Sequence, residues 1–344
     1  MRTNSGFEKR RNLILSFTHR LIVRWLWGHE MMMMMMKKDR DKDPTMGSDP
    51  EDIRELIKGR VLLNVPMKRF TSIKVGGPAD GLFFPKDVDE LRRVVRYARN
   101  KSIPTMILGK GTNVIVTDKG FRGWMISLTQ GLKRFQMDGE IAEAEAGLPL
   151  QRLVQSSVQK GLTGLEAFFG IPGTVGGGLA MNAGAWGAEL KDSLLSITFM
   201  NEDGDRVERP RSKLRFSYRK LDVLPSWIIL KGRFQLGKGN KEEILGRIKS
   251  YSEMRKKSQP LDYPSAGSIF KNPKEGPAGK WIEEAGLKGF KMGQAMVSDR
   301  HANFIVNLGK ATAEEIVQLM ERVERKVYEK KGISLEREVK VVGE

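Results

Sequence analysis

The sequence predicts an α+β fold, because strand-like and helix-like segments follow one another along the chain without an internal repeat. Apolar runs at residues 81–84 and 105–108 flank residues 87–100, whose hydrophobic positions have helical spacing. A helix near 150–160 then stands among short strand-like runs at 124–128, 141–146, 194–200 and 227–236. The last hundred residues carry helical patterns and end in a strand-like run.

The first unit has the order strand, helix, strand. Its helix is predicted from the apolar positions Val88, Leu91, Val94, Val95 and Ala98. Asp87 and Glu90 have the spacing of a capping box at its start, in which each side chain binds the backbone N–H of the other residue. The unit leads into the glycine-containing run 109–113 and a strand-like run at 114–117.

The C-terminal part begins with a predicted helix over about 241–257. It is followed by a segment rich in proline and glycine, 260–279, which is typical of a domain boundary and of active-site loops. Thr312 and Glu315 again have capping-box spacing and open a helix with one apolar face. Residues 338–342 are predicted to form the terminal strand.

Residues 1–45 differ from the rest of the chain. They combine a basic start, an interrupted apolar run, six consecutive methionines from Met31 to Met36, and a charged run. The apolar run is too short and too charged to span a bilayer. We interpret this leader as an extension outside the fold, and the alternative is an amphipathic helix that lies weakly on a membrane surface.

The composition excludes several classes of function. The chain has no cysteine, so disulfides, thiolate metal sites and cysteine nucleophiles are absent, and a reducing cytoplasm fits. Its three histidines are His19, His29 and His301, too few and too scattered for a histidine triad or a histidine-rich metal site, so we predict no metal. The net charge of +18 is dispersed among acidic residues on predicted helix surfaces, which favours a solvated surface over a nucleic-acid partner.

Two glycine-containing segments are candidates for binding phosphate. The first is Gly109, Lys110, Gly111, Thr112 and Asn113, which follows a predicted strand. A plain tight turn explains it equally well, and Val114 occupies the place of the third glycine in the Rossmann fingerprint. The second comprises Gly170, Ile171, Pro172, Gly173, Thr174, Gly176 and Gly177, followed by Asn182, Gly184 and Ala185. Its lack of charge suits backbone that lies against a flat ligand or a diphosphate, although a buried turn remains an alternative.

A third segment, 264–273, places a hydroxyl, a cation and an amide between two prolines. These groups belong to Ser268, Lys271 and Asn272. A serine without a His–Asp pair is a poor nucleophile, but it can donate a proton to a carbanion or an enolate where nearby cations stabilise the charge. Taken singly, Tyr218, Arg219 and Glu338 carry no specific signal.

Together these segments resemble UDP-N-acetylenolpyruvoylglucosamine reductases, in order and in spacing, over residues 60–344. The resemblance rests on Thr71 with residues 75–80, on 108–113, 170–177, 181–185, 217–219 and 267–273, and on Glu338 with Val339. The segment 260–264 is similar to the shorter subclass of the family. The resemblance implies non-covalent FAD in a domain of the vanillyl-alcohol-oxidase type with two subdomains, and a C-terminal α+β domain that binds the substrate.

The resemblance also implies roles for single residues. Hydride from reduced flavin would reach C3 of the enolpyruvyl group, Ser268 would protonate C2, and Arg219 and Glu338 would stabilise the enolic intermediate. The two glycine-containing segments, with Asn182, would contact FAD. Tyr218, Lys271, Asn272 and His301 would bind the UDP-sugar, and NADPH would reduce the flavin first. No histidine or cysteine lies between Met46 and Arg300, so a covalent flavin tether has no residue there.

The implied domains are a first FAD-binding subdomain at 50–118, completed by the strand at 335–344, a second at 119–238, and a substrate-binding domain at 241–334. Two alternatives remain. One is a flavin-dependent oxidase of alcohols or hydroxy acids from the same superfamily, against which the lack of a histidine base counts. The other is a non-catalytic nucleotide-binding protein at the membrane surface, against which the joint presence of Arg219, Ser268 and Glu338 counts.

Overall fold

The computed structural model describes residues 54–344, so the leader predicted at 1–45 lies outside the described residues. Its helices are α1 Val88–Asn100, α2 Leu150–Gln159, α3 Val175–Ala180, α4 Lys241–Ser258, α5 Ala278–Glu284 and α6 Ala313–Lys331. Its strands are β1 Arg60–Pro66, β2 Pro78–Phe84, β3 Thr105–Leu108, β4 Val114–Val116, β5 Phe121–Ser127, β6 Phe135–Asp138, β7 Ile141–Glu145, β8 Leu162–Thr163, β9 Gly184–Ala185, β10 Ala188–Glu189, β11 Leu194–Met200, β12 Arg206–Pro210, β13 Arg215–Ser217, β14 Lys220–Asp222, β15 Ile228–Gln235, β16 Gly237–Lys238, β17 Ser265–Ser268, β18 Lys291–Met292, β19 Ala295–Val297, β20 Phe304–Asn307 and β21 Lys340–Val342. Within 54–344, no helix is long and apolar enough to cross a membrane.

The first sheet has the strand order β1-β2-β5-β3, and α1 connects β2 to β3. Strands β2 and β3 both run parallel to β5 between them, as expected for a βαβ unit. The predicted capping box is half right. Asp87 accepts a hydrogen bond from the backbone N–H of Glu90 at 2.8 Å, but the buried Glu90 carboxylate accepts instead from the N–H groups of Lys58, Gly59 and Lys86.

The second sheet is antiparallel, with the order β12-β11-β15-β7-β6. Helix α3 packs directly on its middle strand, since a Cβ on Gly232 of β15 would lie 2.9 Å from Leu179. The two sheets are joined by three arginines of α1, Arg92, Arg96 and Arg99. Their guanidinium groups donate to the consecutive backbone carbonyls of residues 202–204, at 2.5–2.7 Å.

The third sheet has the order β17-β20-β19-β18 and packs against α5 and α6. Thr312 and Glu315 form the predicted capping box of α6 in full. The buried core of this part includes Ile73, Val75 and Ile115 from far earlier in the chain. The terminal strand β21 pairs in parallel with β4. Chain segments from both ends of the described range therefore meet beside the run 109–113.

The α+β prediction is confirmed by this arrangement. The βαβ unit, the helix near 150–160, the long helix after 240 and the terminal strand all lie where the pattern indicates, with ends that differ by at most three residues. The domain boundaries inferred from the resemblance stay a prediction.

Candidate active site

A cleft of about 380 Å³ lies beside the first glycine-containing segment. It is lined by Leu108, Gly109, Lys110, Phe84, Ser127, Thr129, Gly147, Pro149, Lys74 and the run Arg69, Phe70, Thr71 and Ser72. Its size is typical of a cofactor pocket, and it has three cations, Arg69, Lys74 and Lys110. A diphosphate is a ligand that such a set of cations and backbone groups fits.

The glycines of this segment are closely packed, and Gly111 is required by its backbone. A Cβ on Gly109 would lie 3.0 Å from the Thr174 hydroxyl oxygen. Gly111 has a φ of +64°, and a Cβ there would lie 2.1 Å from the carbonyl oxygen of Phe70. Of the five residues predicted to hold FAD here, Gly109 and Lys110 line the cleft, whereas Asn113 points elsewhere: its side-chain amide donates to the Glu338 carbonyl at 3.1 Å.

The second segment is packed on protein at one end and open at the other. Gly176 allows α3 to touch Ala146, because a Cβ on Gly176 would lie 2.7 Å from the Ala146 Cβ, and Thr174 caps α3 by accepting from the Gly177 N–H. In contrast, a Cβ on Gly173 would meet no atom within 4 Å, and Pro172 is exposed. The buried-turn alternative therefore describes part of this segment, and its open end is available to a ligand.

Asn182 is buried and takes part in holding the chain together. Its side-chain amide donates to the Ser217 carbonyl, and its side-chain oxygen accepts from the Lys191 N–H, each at 3.4 Å. The role of Asn182 toward FAD stays a prediction, while the structure shows that it links the segment after α3 to the β13–β14 hairpin.

The turn of that hairpin carries Arg219, with a φ of +57°. Non-glycine residues rarely adopt this conformation, and functional sites are among the places where they do. The Nε of Arg219 lies 3.3 Å from the Oε1 of Glu338, and its Nη2 donates to the Gly184 carbonyl at 3.1 Å. The ring of the exposed Tyr218 lies 4.8 Å from the Arg219 guanidinium carbon. Arg219 is thus held from two sides.

The environment of Glu338 disfavours its charged form. Burial raises the pKa of the Glu338 carboxyl above its usual value, although the charges of Arg219 and Lys271 oppose this shift. Glu338 therefore keeps its proton to a higher pH than a solvated glutamate. A carboxyl in this state can donate a hydrogen bond as well as accept one.

Ser268 lies at the end of β17, next to the backbone that positions Glu338. The Glu338 N–H donates to the carbonyl of Ile269 at 2.8 Å, and Ser268 pairs with Phe304 across the sheet. The Ser72 hydroxyl lies within hydrogen-bonding distance of both the Ser265 and the Gly111 carbonyls, at 2.6 and 3.3 Å. The chain segment of Ser268 is thereby attached to the glycine-containing run beside the cleft.

Three predicted substrate residues have different surroundings. Lys271 pairs with Glu336 and is close enough to act on the charge of Glu338. The side-chain oxygen of Asn272 accepts from the Ala278 N–H at the start of α5, at 3.0 Å, which leaves its NH₂ group for another partner. The role of His301 toward the substrate stays a prediction, and its ring lies beside Gly279, next to the Ala278 that Asn272 binds.

His301 contacts other parts of the C-terminal domain. Its Nδ1 accepts from the Asn303 N–H at 3.2 Å, and its ring lies 4.9 Å from that of Phe304. Burial lowers the pKa of His301, so the ring is neutral at physiological pH. Within residues 54–344, no group of three or more metal-ligating side chains is arranged to hold an ion.

Comparison with known proteins decides the family. A family model described as UDP-N-acetylenolpyruvoylglucosamine reductase, C-terminal domain, matches residues 259–342, and one described as FAD binding domain matches residues 79–209. A UDP-N-acetylenolpyruvoylglucosamine reductase of Syntrophus aciditrophicus is 44% identical over 299 residues, 86% of this chain and 96% of that protein. The chain belongs to the UDP-N-acetylenolpyruvoylglucosamine reductase family.

Other members of this reductase family are also similar to the chain. The protein of the same name from Caldanaerobacter subterraneus is 43% identical and is covered over 98% of its length. The crystal structure of the reductase from Thermus caldophilus superimposes with a TM-score of 0.72 at 36% identity, over 83% of this chain and all of that one. The resemblance stated from sequence, the FAD-binding fold with its C-terminal domain, and FAD as the cofactor are confirmed by these matches.

Sequence reasoning missed several residues in or near this candidate site. Arg69 and Lys74 line the cleft, and their only signal was basic charge on either side of Thr71. Arg255 was also missed: its Nε is buried beside Gly170 and has no hydrogen-bond partner within 54–344. Glu189 was missed because only the pairing of β9 with β10 brings it to Arg219.

Proposed function

We propose that this protein catalyses the NADPH-dependent reduction of UDP-N-acetylenolpyruvoylglucosamine to UDP-N-acetylmuramate, a step in the synthesis of peptidoglycan precursors. The observation that carries this proposal is the shielded Arg219–Glu338 pair beside the segment of Ser268, in a chain of this family with an FAD-binding domain. Together these residues offer a cation, a carboxyl with a raised pKa and a hydroxyl.

FAD, when bound, supplies the hydride that it has received from NADPH. Addition of hydride at C3 of the enolpyruvyl group leaves extra negative charge on the neighbouring carboxylate. The Arg219 guanidinium and the Glu338 carboxyl, whose raised pKa favours its protonated form, stabilise that charge through hydrogen bonds that strengthen as it develops. Because Arg219 is already fixed by Glu338 and Gly184, little reorganisation is needed at that moment.

Ser268 donates its hydroxyl proton to C2. A serine hydroxyl is a weak acid, so the donation requires a strongly basic carbon and nearby positive charge. The hydroxyl of Ser268 has no hydrogen-bond partner within the described residues, which leaves it available to a substrate. Lys271, Tyr218 and Asn272 are proposed to bind the carboxylate and diphosphate of the substrate.

The cofactor is proposed to lie along the cleft, with its diphosphate near Gly109, Lys110, Arg69 and Lys74. The open part of the second segment, Pro172 and Gly173, would lie against another part of it. We further propose that the protein acts in the cytoplasm, where the lack of cysteine is ordinary, and that the three domains divide as the resemblance implies.

The test is spectroscopic. The purified protein is expected to show flavin absorption that bleaches with NADPH under anaerobic conditions and returns when the enolpyruvyl sugar nucleotide is added. Reoxidation by oxygen but not by this substrate would favour the oxidase alternative. Protein that contains no FAD and cannot be reconstituted with it would refute both activities.

A further inference from the structure

The guanidinium of Arg219 has a second carboxylate neighbour, Glu189. Strands β9 and β10 pair so that Gly184 stands directly opposite Glu189. A Cβ built on Gly184 would lie 2.4 Å from the Nη1 of Arg219 and 3.4 Å from the Cγ of Glu189. Both side chains therefore surround the same point, above a residue that has no side chain of its own.

Glu189 is ionised at neutral pH. Burial would raise the pKa of its carboxyl, but hydrogen bonds from Lys191 and Asn182 and the charges of Lys191 and Arg219 lower it below the usual value. Its side chain is 24% exposed, so its attraction for a neighbouring cation is only partly screened.

Arg219 needs such anchoring. Its backbone is in a left-handed conformation at the tip of a two-residue turn, and a free arginine side chain has many rotamers. Glu338 holds its Nε, and the Gly184 carbonyl holds its Nη2. The third group, Nη1, points to the space beside Gly184, which is where Glu189 lies.

We propose that Glu189 is a positioning residue for Arg219. Together with the Gly184 carbonyl, it fixes the guanidinium so that the remaining N–H groups face the carboxylate of the enolic intermediate. This inference rests on the proposed function, and it assigns the β9–β10 hairpin, residues 184–189, a direct part in the second half of the reaction.

A purely structural role is the competing explanation. Glu189 also pairs with Lys191, and its N–H donates to Asp192 in the turn that follows. If Glu189 mattered only through this local ion pair, removal of Lys191 would have the same effect as removal of the Glu189 charge. Lys191→Met is therefore the matched control, since within the described residues the Lys191 side chain pairs with Glu189 and no hydrogen bond joins it to Arg219.

The experiment measures the two half-reactions of Glu189→Gln, Glu189→Asp and Lys191→Met holoenzymes by stopped flow. We expect Glu189→Gln to slow flavin reoxidation by the enolpyruvyl sugar nucleotide about tenfold, because a mispositioned Arg219 stabilises the intermediate less. Flavin reduction by NADPH should change less than about twofold, since it does not use this charge. Glu189→Asp should reoxidise faster than Glu189→Gln because it keeps the negative charge, and the reoxidation rate of Lys191→Met should be close to that of wild type.

A double-mutant cycle identifies the path of the effect. In an Arg219→Lys background, Glu189→Gln should lower the rate of flavin reoxidation little further, because the group that Glu189 positions is already altered. The inference would be overturned if Glu189→Gln lowered the reoxidation rate by the same factor in the wild-type and Arg219→Lys backgrounds. It would also be overturned if Lys191→Met lowered that rate as much as Glu189→Gln. Should Glu189→Gln fold poorly, Glu189→Asp in the two backgrounds gives the same comparison. Wild-type protein that does not reoxidise with this substrate would instead refute the proposed function.

Discussion

The Arg219 Nε lies 3.3 Å from the Glu338 Oε1, and the two side chains are only 20% and 16% exposed. This pair joins the turn of the β13–β14 hairpin to the segment that enters β21. Electrostatic interactions and hydrogen bonds in such a position are stronger than on an open surface, because little water is present to screen them. The pair is therefore suited to respond when a negatively charged group of a substrate arrives beside it.

Replacement of Ser268 by alanine should separate the two half-reactions. Flavin reduction by NADPH should be nearly unchanged, whereas reoxidation by the enolpyruvyl substrate should fall by about 10²–10⁴, the usual contribution of a general acid. Anaerobic stopped-flow absorbance measures both. Ser265→Ala, in the same strand, is the control and should keep both rates. A block of flavin reduction in Ser268→Ala would show that the proton-donor assignment is wrong.

Replacement of Glu338 by glutamine should slow reoxidation and yet raise thermal stability at neutral pH. The raised pKa means that the charged form costs free energy in the folded state. The favourable contribution of the protonated form is fully present below the ordinary pKa of 4.5 and is lost as the pH rises through the higher folded value. The Tm of Glu338→Gln should exceed that of wild type at pH 8, and the difference should vanish near pH 4. A variant less stable at pH 8 would show that the Arg219 pair outweighs burial.

Introduction of a Cβ at Gly184 should displace Arg219. The new atom would lie 2.4 Å from Nη1, so the guanidinium must move and leave the Gly184 carbonyl. We expect Gly184→Ala to slow the reoxidation half-reaction by about tenfold or more, with flavin reduction much less affected. A crystal structure of the variant with Arg219 unmoved and a normal reoxidation rate would contradict this.

The same substitution at Gly246 should have the opposite consequence. Gly246 is exposed within α4, its φ is not positive, and a Cβ there would meet no atom within 4 Å. Gly246→Ala should therefore raise the free energy of unfolding by about 0.5–1 kcal/mol through the higher helix propensity of alanine. Urea denaturation measures the change. The activity of this variant should equal that of wild type, which makes it the control for Gly184→Ala.

Arg247 and Glu166 should stabilise the fold in a pH-dependent manner. Burial would raise the pKa of Glu166, but hydrogen bonds from Thr163 and Arg247 lower it below 4.5. The stabilisation is present above pH 4.5 and is lost as the pH falls through the lower folded value. Arg247→Met should lose about 1–2 kcal/mol of unfolding free energy at pH 7 and progressively less in acid, as measured by urea denaturation. An equal loss at every pH would indicate lost packing instead of lost charge pairing.

The local patterns of the sequence predicted the elements that depend on local physics. Helix α6 formed with both halves of its capping box, because Thr312 and Glu315 need only each other. In the Asp87–Glu90 box only the hydrogen bond from the Glu90 N–H to Asp87 forms. The Glu90 carboxylate instead binds the backbone N–H groups of Lys58, Gly59 and Lys86. Such competition arises from tertiary packing, and no spacing rule contains it.

The sequence predicted the candidate site residues that lie within the motifs of the family. The resemblance selected Arg219, Glu338 and Ser268, and the structure brings the first two into contact. It also selected His301, whose role stays a prediction and whose ring lies against Phe304 and Gly279. No sequence pattern predicted that Glu189 lies near Arg219, since this proximity follows from strand pairing and from the missing side chain of Gly184.

The hydrogen bond from the Asn113 side chain to the Glu338 carbonyl spans 225 positions of sequence. A contact of this separation closes a long loop of chain, which costs conformational entropy. On the ribosome, the cationic cleft around Lys110 is synthesised long before Glu338 emerges. The nascent chain therefore contains every residue of this cleft before it contains Glu338, the carboxyl proposed to act in reduction. The Arg219–Glu338 pair can form only after the segment that enters β21 has been synthesised.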